Sequence, residues 1–296
     1  MDRKEAQDEV KLIIQPADGV TPVIQAIAKA RKTIDIVIFR FDRPAVEKAL
    51  SEAVARGVAV RALIAHTNKG GEKTLRKLEL RLLERGATVA RTADDLSRYH
   101  GKMMIIDDSA LHIYGFNYTK LDIEQSRSFG IITRDAKVVR EASQLFNADA
   151  LRQNYTPTHP RLVVSPENSR VRLTAFIKGA RKELLIYDAQ VTDNAMQKVM
   201  AERAKAGVKI RILGTLEKAN PDIKVRSLAP MRLHVRAIIR DGKTAFIGSQ
   251  SLRKLELEGR REVGIIIQNA AVVRKMLGVF AADWKTSGKK ADAGVA

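Results

Sequence analysis

The stretch that decides the fold is His100-Gly101-Lys102-Met103-Met104-Ile105-Ile106-Asp107, because its pattern returns at His234-Val235-Arg236-Ala237-Ile238-Ile239-Arg240-Asp241. Each copy sets a histidine, a cation two residues later and an aspartate five residues beyond the cation on an apolar run. Side chains two residues apart on a strand face the same way, so each histidine should share a face with its cation. Asp107 and Asp241 fall at the strand end on the other parity, and we expect them to support the site by anchoring the turn.

The similarity between the two halves continues well beyond these motifs. A shift of 150 residues aligns Ala30-Arg31-Lys32 with Ala180-Arg181-Lys182, and a shift of 134 aligns Gly130-Ile131-Ile132 with Gly264-Ile265-Ile266. The difference between the two shifts places 16 extra residues in the first half, between about 64 and 99. Registers kept over such long stretches indicate an internal duplication.

Each repeat alternates short apolar runs with amphipathic segments. In the first, Ile34–Phe39 is typical of a buried strand, Pro44–Ala55 of a helix and Ala136–Leu151 of a closing helix. Strands interleaved with helices predict an α/β fold with a mixed sheet flanked by helices in each repeat. We place repeat 1 at residues 1–156 and repeat 2 at residues 157–296, and we expect the small, polar tail from about residue 285 to be disordered.

The composition limits the chemical class of the binding partner. The 296 residues include 53 Lys and Arg against 34 Asp and Glu, so the formal net charge of +19 predicts an anionic partner such as nucleic acid, an acidic membrane or a phosphorylated molecule. There is no cysteine, which excludes disulfides and thiolate metal sites. The charged N-terminus lacks a signal-like apolar run, and no run is long enough to span a bilayer, so we expect a cytoplasmic protein without a transmembrane segment. No histidine and carboxylate cluster has metal-ligand spacing, so we expect no metal or other cofactor.

The paired histidines suit one kind of chemistry. A phosphodiester repels nucleophiles by its charge and has a poor leaving group, and cations around the phosphoryl oxygens remove the first obstacle. A neutral imidazole can attack phosphorus while a second, protonated imidazole gives its proton to the leaving oxygen. Two histidines therefore supply both roles without a metal.

The pattern HxKxxxxD followed by a GSxN-like turn resembles the phospholipase D superfamily, the HKD phosphodiesterases, over nearly the whole chain. The resemblance implies two tandem repeats related by a pseudo-twofold axis, with both motifs in one active site, so that a monomer suffices for one complete site. It also implies that one histidine becomes a phosphohistidine while the other serves as general acid and then as general base.

The resemblance carries over residue by residue. His100, Lys102 and Asn117 match the first motif, and His234 and Ser249 match the second. The two histidines are thus the expected catalytic residues. The expected phosphate-binding residues are Lys102, Asn117, Arg236 and Ser249. His100 is favoured as the nucleophile because its repeat keeps both the lysine and the asparagine, although the reverse assignment gives the same overall reaction.

The copies also depart from the family pattern, and each has lost a different part of it. Arg236 replaces the lysine of the second motif, which keeps the charge but changes its geometry. Ser251 replaces the second asparagine, and Ser128 stands where the first repeat would carry a carboxylate. Glu262, twenty-eight residues after His234, matches that carboxylate in the second repeat, and we expect it to support the His234 imidazole.

Three functions are compatible with these observations. The first is a phospholipase D-like phosphodiesterase that hydrolyses or exchanges phospholipid head groups, with peripheral membrane contact. The second is a metal-independent endonuclease on DNA or RNA, for which the 5% aromatic content offers few stacking platforms. The third is a non-catalytic protein that binds nucleic acid or membrane with a degenerate site. The superfamily resemblance favours the first.

Overall fold

The structure is a computed structural model that describes residues 10–67, 72–228 and 231–289. The first repeat contributes eight strands and five helices within these ranges: β1 (Val10–Gln15), α1 (Thr21–Lys29), β2 (Thr33–Ile38), α2 (Pro44–Ala55), β3 (Ala59–Ile64), α3 (Glu72–Glu84), β4 (Thr88–Arg91), β5 (Arg98–Tyr99), β6 (Met103–Ile106), β7 (Ala110–Tyr114), α4 (Lys120–Glu124), β8 (Ser126–Thr133) and α5 (Ala136–Leu151).

The second repeat follows the same order without a counterpart of α3. Its elements are β9 (Leu162–Ser165), α6 (Ser169–Lys178), β10 (Glu183–Val191), α7 (Asn194–Lys205), β11 (Lys209–Leu216), β12 (Ile223–Ser227), β13 (Arg232–Leu233), β14 (Arg236–Arg240), β15 (Thr244–Gly248), α8 (Lys254–Glu258), β16 (Arg260–Ile267), α9 (Ala270–Thr286) and β17 (Gly288–Lys289). The predicted duplication is therefore visible in the element order, and α3 lies within the 16-residue insertion.

The strands form two mixed sheets with matching order. The first runs β1-β8-β7-β6-β2-β3-β4. Read in the same direction, the second runs β9-β16-β15-β14-β10-β11-β12, and β17 then pairs with β12. In each sheet a parallel set (β2, β3 and β4; β10, β11 and β12) joins an antiparallel set. This confirms the predicted α/β fold of two repeats with mixed sheets.

Two short strands cross between the repeats. β5 precedes the first motif but pairs with β16 of the second sheet, while β13 precedes the second motif but pairs with β8 of the first. The pairing continues into the motifs, because the His100 N–H donates to Arg261 O at 2.7 Å and the His234 N–H donates to Arg127 O at 3.1 Å. Each motif histidine is thereby attached to the equivalent strand of the other repeat, β16 for His100 and β8 for His234, as a pseudo-twofold arrangement requires.

A buried core shared by the two repeats holds this arrangement. One hydrophobic cluster takes side chains from both sheets and from α5 and α9. Within it the ring of Tyr187 meets Phe129 of the first repeat edge-on at 5.5 Å and Phe280 of α9 at 5.0 Å. Burial of one such ring contributes about 1.5–3 kcal/mol of hydrophobic free energy, so the core fixes the position of one repeat on the other.

The C-terminal segment differs from the prediction of disorder from about residue 285. Helix α9 continues to Thr286, and β17 pairs with β12. The guanidinium of Arg226 lies 4.6 Å from the ring centroid of Trp284 and donates to its carbonyl oxygen at 2.7 Å. These contacts give residues 285–289 partners that composition does not reveal, whereas residues 290–296 lie outside the described ranges.

Candidate active site

The two motif aspartates anchor turns, as the sequence predicts. Asp107 accepts hydrogen bonds from the backbone N–H groups of residues 31–33, and Asp241 accepts from those of residues 181–183. Burial raises the pKa of each carboxyl, but these donors outweigh it and hold the pKa below its usual range. Both aspartates therefore support the site by fixing the far end of the strand that follows each histidine.

The first motif holds its histidine by both ring nitrogens. Nδ1 of His100 lies 2.9 Å from both carboxylate oxygens of Glu262, and Nε2 lies 3.0 Å from Nζ of Lys102. An ionised carboxylate only accepts and an ammonium only donates, so this pairing places the hydrogen on Nδ1 and turns the Nε2 lone pair toward the lysine. The neutral ring is thus fixed in one tautomer, with its Nε2 lone pair on the side of Lys102.

Burial sets the titration of the two partners of this ring. Glu262 is fully buried, which raises its pKa to about 7 against the opposing effect of Lys102. Lys102 is 1% exposed, and burial lowers its pKa to about 7 against the opposing effect of Glu262. Each group therefore changes charge close to neutral pH, which is the range in which a side chain exchanges protons most effectively.

The second motif holds its histidine more loosely. Nδ1 of His234 lies 3.6 Å from Oδ2 of Asp122 in α4, too far for a hydrogen bond, and it has no hydrogen-bond partner among the described residues. Asp122 itself is held firmly: its Oδ2 accepts from the backbone N–H of Asn117 at 2.9 Å and from its Nδ2 at 2.6 Å, and its Oδ1 accepts from Arg232 at 2.5 Å. Burial raises the pKa of Asp122, but His234, Asn117 and Arg232 together lower it overall.

The two motif cations serve both histidines. Nζ of Lys102 donates to His100 O at 2.7 Å, and Nη1 of Arg236 donates to His234 O at 2.8 Å, so the two are equivalent in position. Burial lowers the pKa of each histidine well below its usual range, and Lys102 and Arg236 each lower the pKa of both rings further. Each motif histidine is also hydrogen-bonded to a strand of the other repeat, so the two motifs lie side by side and these four side chains belong to one site.

The remaining predicted phosphate ligands are Ser249 and Asn117, and both make hydrogen bonds within the protein. Ser249 accepts the Val263 N–H at 3.1 Å, and its side-chain hydrogen bond lowers the pKa of Glu262. The Asn117 amide donates to Asp122. In this structure, then, each of these side chains contacts a carboxylate, and a direct contact of either with phosphate stays a prediction.

The expectation that Glu262 supports His234 is wrong, because Glu262 contacts His100. The reason is the strand exchange: β5 leads into the first motif alongside β16, which carries Glu262. The carboxylate beside His234 is Asp122, which sequence reasoning missed. The family alignment pointed to position 128, where a serine stands, whereas Asp122 lies six residues earlier on a five-residue helix.

A signal for Asp122 was nevertheless present in the sequence. The shift of 134 aligns it with Glu256, so both repeats carry an acid five residues after the Asn117 or Ser251 position. Both acids are buried, but Glu256 pairs with Arg260 at 2.7 Å, and no contact joins it to a histidine in the described ranges. A repeated acid therefore marks a candidate, and only the fold distinguishes the two.

Two features are absent from the described residues. None of their helices is both long and apolar enough to cross a membrane. No group of three or more histidine and acidic side chains within the same ranges is placed to hold a metal ion.

Comparison with known proteins identifies the family of the chain. The protein-family model described as "Cardiolipin synthase, PLD-like domain" matches residues 23–150 and 173–284. The mitochondrial cardiolipin hydrolases of Homo sapiens and Mus musculus are 26% and 25% identical over 140 and 122 residues, or 47% and 41% of this chain. The chain spans about half the length of these curated relatives, 53% of each.

Solved structures share the fold at low identity. Phosphatidylserine synthase from Haemophilus influenzae Rd KW20 has a TM-score of 0.72 at 11% identity, covering 95% of this chain and 88% of its own. Polyphosphate kinase from Porphyromonas gingivalis has a TM-score of 0.77 at 18% identity, covering 93% of this chain and 50% of its own. At these identities the likeness concerns the fold alone.

Proposed function

The chain belongs to the phospholipase D superfamily, and from this premise we propose that it is a phosphodiesterase that works through a phosphohistidine, with phospholipid head groups as its substrate. The observation that carries the proposal is the pair of histidines that share Lys102 and Arg236, each with its own carboxylate from the other repeat. We also propose that the repeats comprise residues 1–156 and 157–296, and that the protein is cytoplasmic.

We assign the nucleophilic attack on phosphorus to His100, whose ring is held at both nitrogens. Nε2 of His100 forms a bond to phosphorus, and the bond from phosphorus to the leaving oxygen breaks. His234, protonated once the substrate anion offsets the two cations, gives its proton to that oxygen. In the second half, neutral His234 takes a proton from water, the water oxygen bonds to phosphorus, and the N–P bond breaks. Asp122 stabilises the transient imidazolium of His234.

A burst experiment tests this assignment. Bis(p-nitrophenyl) phosphate has a leaving group that needs little protonation, so His234→Ala should still form the phosphoenzyme and release one equivalent of nitrophenolate before stalling. His100→Ala should release none. A burst from His100→Ala but not from His234→Ala would reverse the roles, and multiple turnovers by both variants would contradict the shared site. Since neither step uses a metal, EDTA should leave the wild-type rate unchanged.

Two exposed leucines favour a lipid substrate. Leu121 in α4 and Leu255 in α8 are equivalent at the shift of 134 and are 44% and 42% exposed. Leu121 precedes Asp122, the carboxylate beside His234. Leu255 precedes Glu256, whose partner Arg260 lowers the pKa of His100.

A lysine lies beside each of the two exposed leucines. Exposed Lys120 and Lys254 stand immediately before the two leucines. An apolar tip beside a lysine suits the headgroup boundary of an anionic membrane, where each basic residue contributes about 1 kcal/mol of attraction. The names of the curated relatives, mitochondrial cardiolipin hydrolases, point to the same substrate class.

A parallel assay tests the substrate. Leu121→Ser with Leu255→Ser should slow turnover of cardiolipin vesicles and leave turnover of bis(p-nitrophenyl) phosphate unchanged. Leu151→Ser, at an even more exposed leucine on α5, should change neither. Cleavage of plasmid DNA in place of lipid, absent from His100→Ala, would instead support the endonuclease. Binding to either polymer or vesicle without turnover would support the non-catalytic alternative.

A further inference from the structure

Two arginines face each other on paired strands immediately before the first motif. Arg98 of β5 and Arg260 of β16 are register partners in the parallel pairing that leads into His100. Like charges at facing positions of paired strands repel each other and destabilise the pairing. The β5–β16 pairing therefore keeps an unfavourable pair of charges at the position next to the catalytic site.

Both arginines lie on the catalytic face of this pairing. Side chains alternate between the two faces of a strand, so Arg98 shares a face with His100 and Arg260 shares a face with Glu262. The carboxylate of Glu262 contacts His100 at 2.9 Å, whereas the two intervening residues contact each other, with the guanidinium of one 5.6 Å from the ring centroid of the other. Two residues of strand, or roughly 6–7 Å, thus separate the arginine pair from the pair of His100 and Glu262.

A third arginine adjoins this pair. Arg40 follows Phe39, whose ring meets the His100 ring edge-on at 4.5 Å, and the Arg40 guanidinium lies 5.9 Å from the centroid of the Phe39 ring. Burial, Arg260 and Arg40 all lower the pKa of Arg98, so the three guanidinium groups are close enough to repel one another. Three arginines therefore adjoin the catalytic site on the side of His100.

The neighbouring acids do not neutralise these arginines. Within the described ranges, Glu256 is the acid that forms an ion pair with one of the three, at 2.7 Å from Arg260, and it is shared with Arg253 at 3.4 Å. Arg40 and Arg98 form no ion pair with a described residue, and the buried Nε of Arg260 has no hydrogen-bond partner in the same ranges. The cluster therefore keeps an excess of positive charge and unused donors for an anion.

The second repeat neutralises the equivalent position. Its counterparts of Arg98 and Arg260 at the shift of 134 are Arg232 and Ser126, which are also register partners. Arg232 donates to Asp122 at 2.5 Å and to the Ser126 hydroxyl at 3.1 Å, and a glutamine, residue 190, stands where the third arginine would be. The excess of charge therefore belongs to one side of the catalytic site.

We propose that Arg40, Arg98 and Arg260 form an anion subsite that binds a second phosphate group of the substrate, next to the phosphodiester that reacts with the histidines. The inference rests on the proposed function and deepens it, because it names the substrate class as phospholipids whose head group carries a second phosphate. Glu256, the partner of Arg260, directly follows the exposed Leu255 that we propose contacts the membrane. This position favours a lipid head group over a nucleic acid.

Calorimetry with soluble head-group analogues tests the subsite. At constant ionic strength, the wild type should bind glycerol bisphosphate about tenfold more tightly than glycerol phosphate, because the second phosphate gains charge-assisted hydrogen bonds. Arg98→Gln should reduce this preference to less than about twofold, because it removes a charged donor. The Tm of this variant should not fall, because the substitution removes a repulsion between like charges.

Arg232→Gln is the matched control, since it removes the equivalent arginine that Asp122 already neutralises. It should change the affinities for both ligands in equal proportion. If Arg98→Gln and Arg232→Gln reduce the preference for the bisphosphate equally, the preference reflects overall charge and the proposal is wrong. Arg40→Gln, at an exposed position, should also reduce the preference and gives the same test if Arg98→Gln fails to fold.

Binding and turnover are measured separately, so the two proposals can fail separately. A preference for the bisphosphate that Arg98→Gln abolishes, without a burst from bis(p-nitrophenyl) phosphate, would keep the subsite and contradict the phosphodiesterase. In an active enzyme, phosphatidylglycerol phosphate should turn over faster than phosphatidylglycerol in vesicles of equal surface charge, and Arg98→Gln should remove the difference. Cleavage of an oligonucleotide that depends on Arg98, with no such difference between the two lipids, would overturn the lipid substrate class.

Discussion

The two halves of the active site descend from one repeated pattern but hold their histidines differently. His100 is fixed at both nitrogens, 2.9 Å from Glu262 and 3.0 Å from Lys102, whereas Nδ1 of His234 stands 3.6 Å from Asp122. A nucleophile needs one tautomer and one direction, whereas a group that gives and then takes a proton needs freedom to adjust. The asymmetry therefore matches a division of labour, and four variants can break or sharpen it.

The largest effect is expected for Glu262→Gln. Loss of the carboxylate removes the preference for the tautomer with hydrogen on Nδ1, so kcat should fall by about 10²- to 10⁴-fold, as for other wrongly oriented catalytic imidazoles. Burial raises the pKa of Glu262 from 4.5 to about 7, so folding free energy is lost as the pH rises between these values, and the full cost of the ionised form remains above pH 7. A thermal scan at pH 8 should therefore show no loss of Tm, which separates the kinetic effect from unfolding.

Asp122→Asn should have a smaller effect, about 10- to 100-fold on kcat, because the carboxylate acts through a charge 3.6 Å away rather than through a hydrogen bond. The loss should be greatest with poor leaving groups, which need the proton from His234. Glu256→Gln is the matched control, since it changes the equivalent buried acid that contacts arginine instead of histidine. Equal losses in the two variants would contradict a positioning role for Asp122.

The pH profile should be narrow and centred near neutrality. Glu262 must be ionised, so kcat/KM falls below its pKa of about 7, and Lys102 must be protonated, so kcat/KM falls above its pKa of about 7. Lys102→Arg should move the alkaline limb upward because a guanidinium stays charged. An alkaline limb that is unchanged in Lys102→Arg would assign it to another group.

The smallest effect is expected for Arg236→Lys, which restores the lysine of the family pattern. Nη1 of Arg236 donates to the His234 carbonyl, and an ammonium can make the same bond, as Lys102 does to His100. We expect kcat/KM to change by less than about fivefold, or roughly 1 kcal/mol of transition-state free energy. A loss as large as that of Glu262→Gln would show that the planar guanidinium itself holds the phosphate.

Much of the fold followed from local pattern. The helices at Pro44–Ala55 and Ala136–Leu151 have the predicted bounds, because each is a run of one periodicity that begins at a proline or after a capping residue. Pairings between distant segments did not follow. Strands β5 and β13 are two residues long, too short for any periodicity, and their partners lie more than a hundred residues away.

The sequence by itself determined the duplication, the superfamily, both histidines and their cations, because these depend on residue identity at fixed spacing. Only the tertiary structure decided which carboxylate serves which histidine, because the exchange of β5 and β13 sends Glu262 to His100 and leaves His234 to Asp122. Charge partners arise from long-range packing, and one-dimensional spacing does not encode that packing directly.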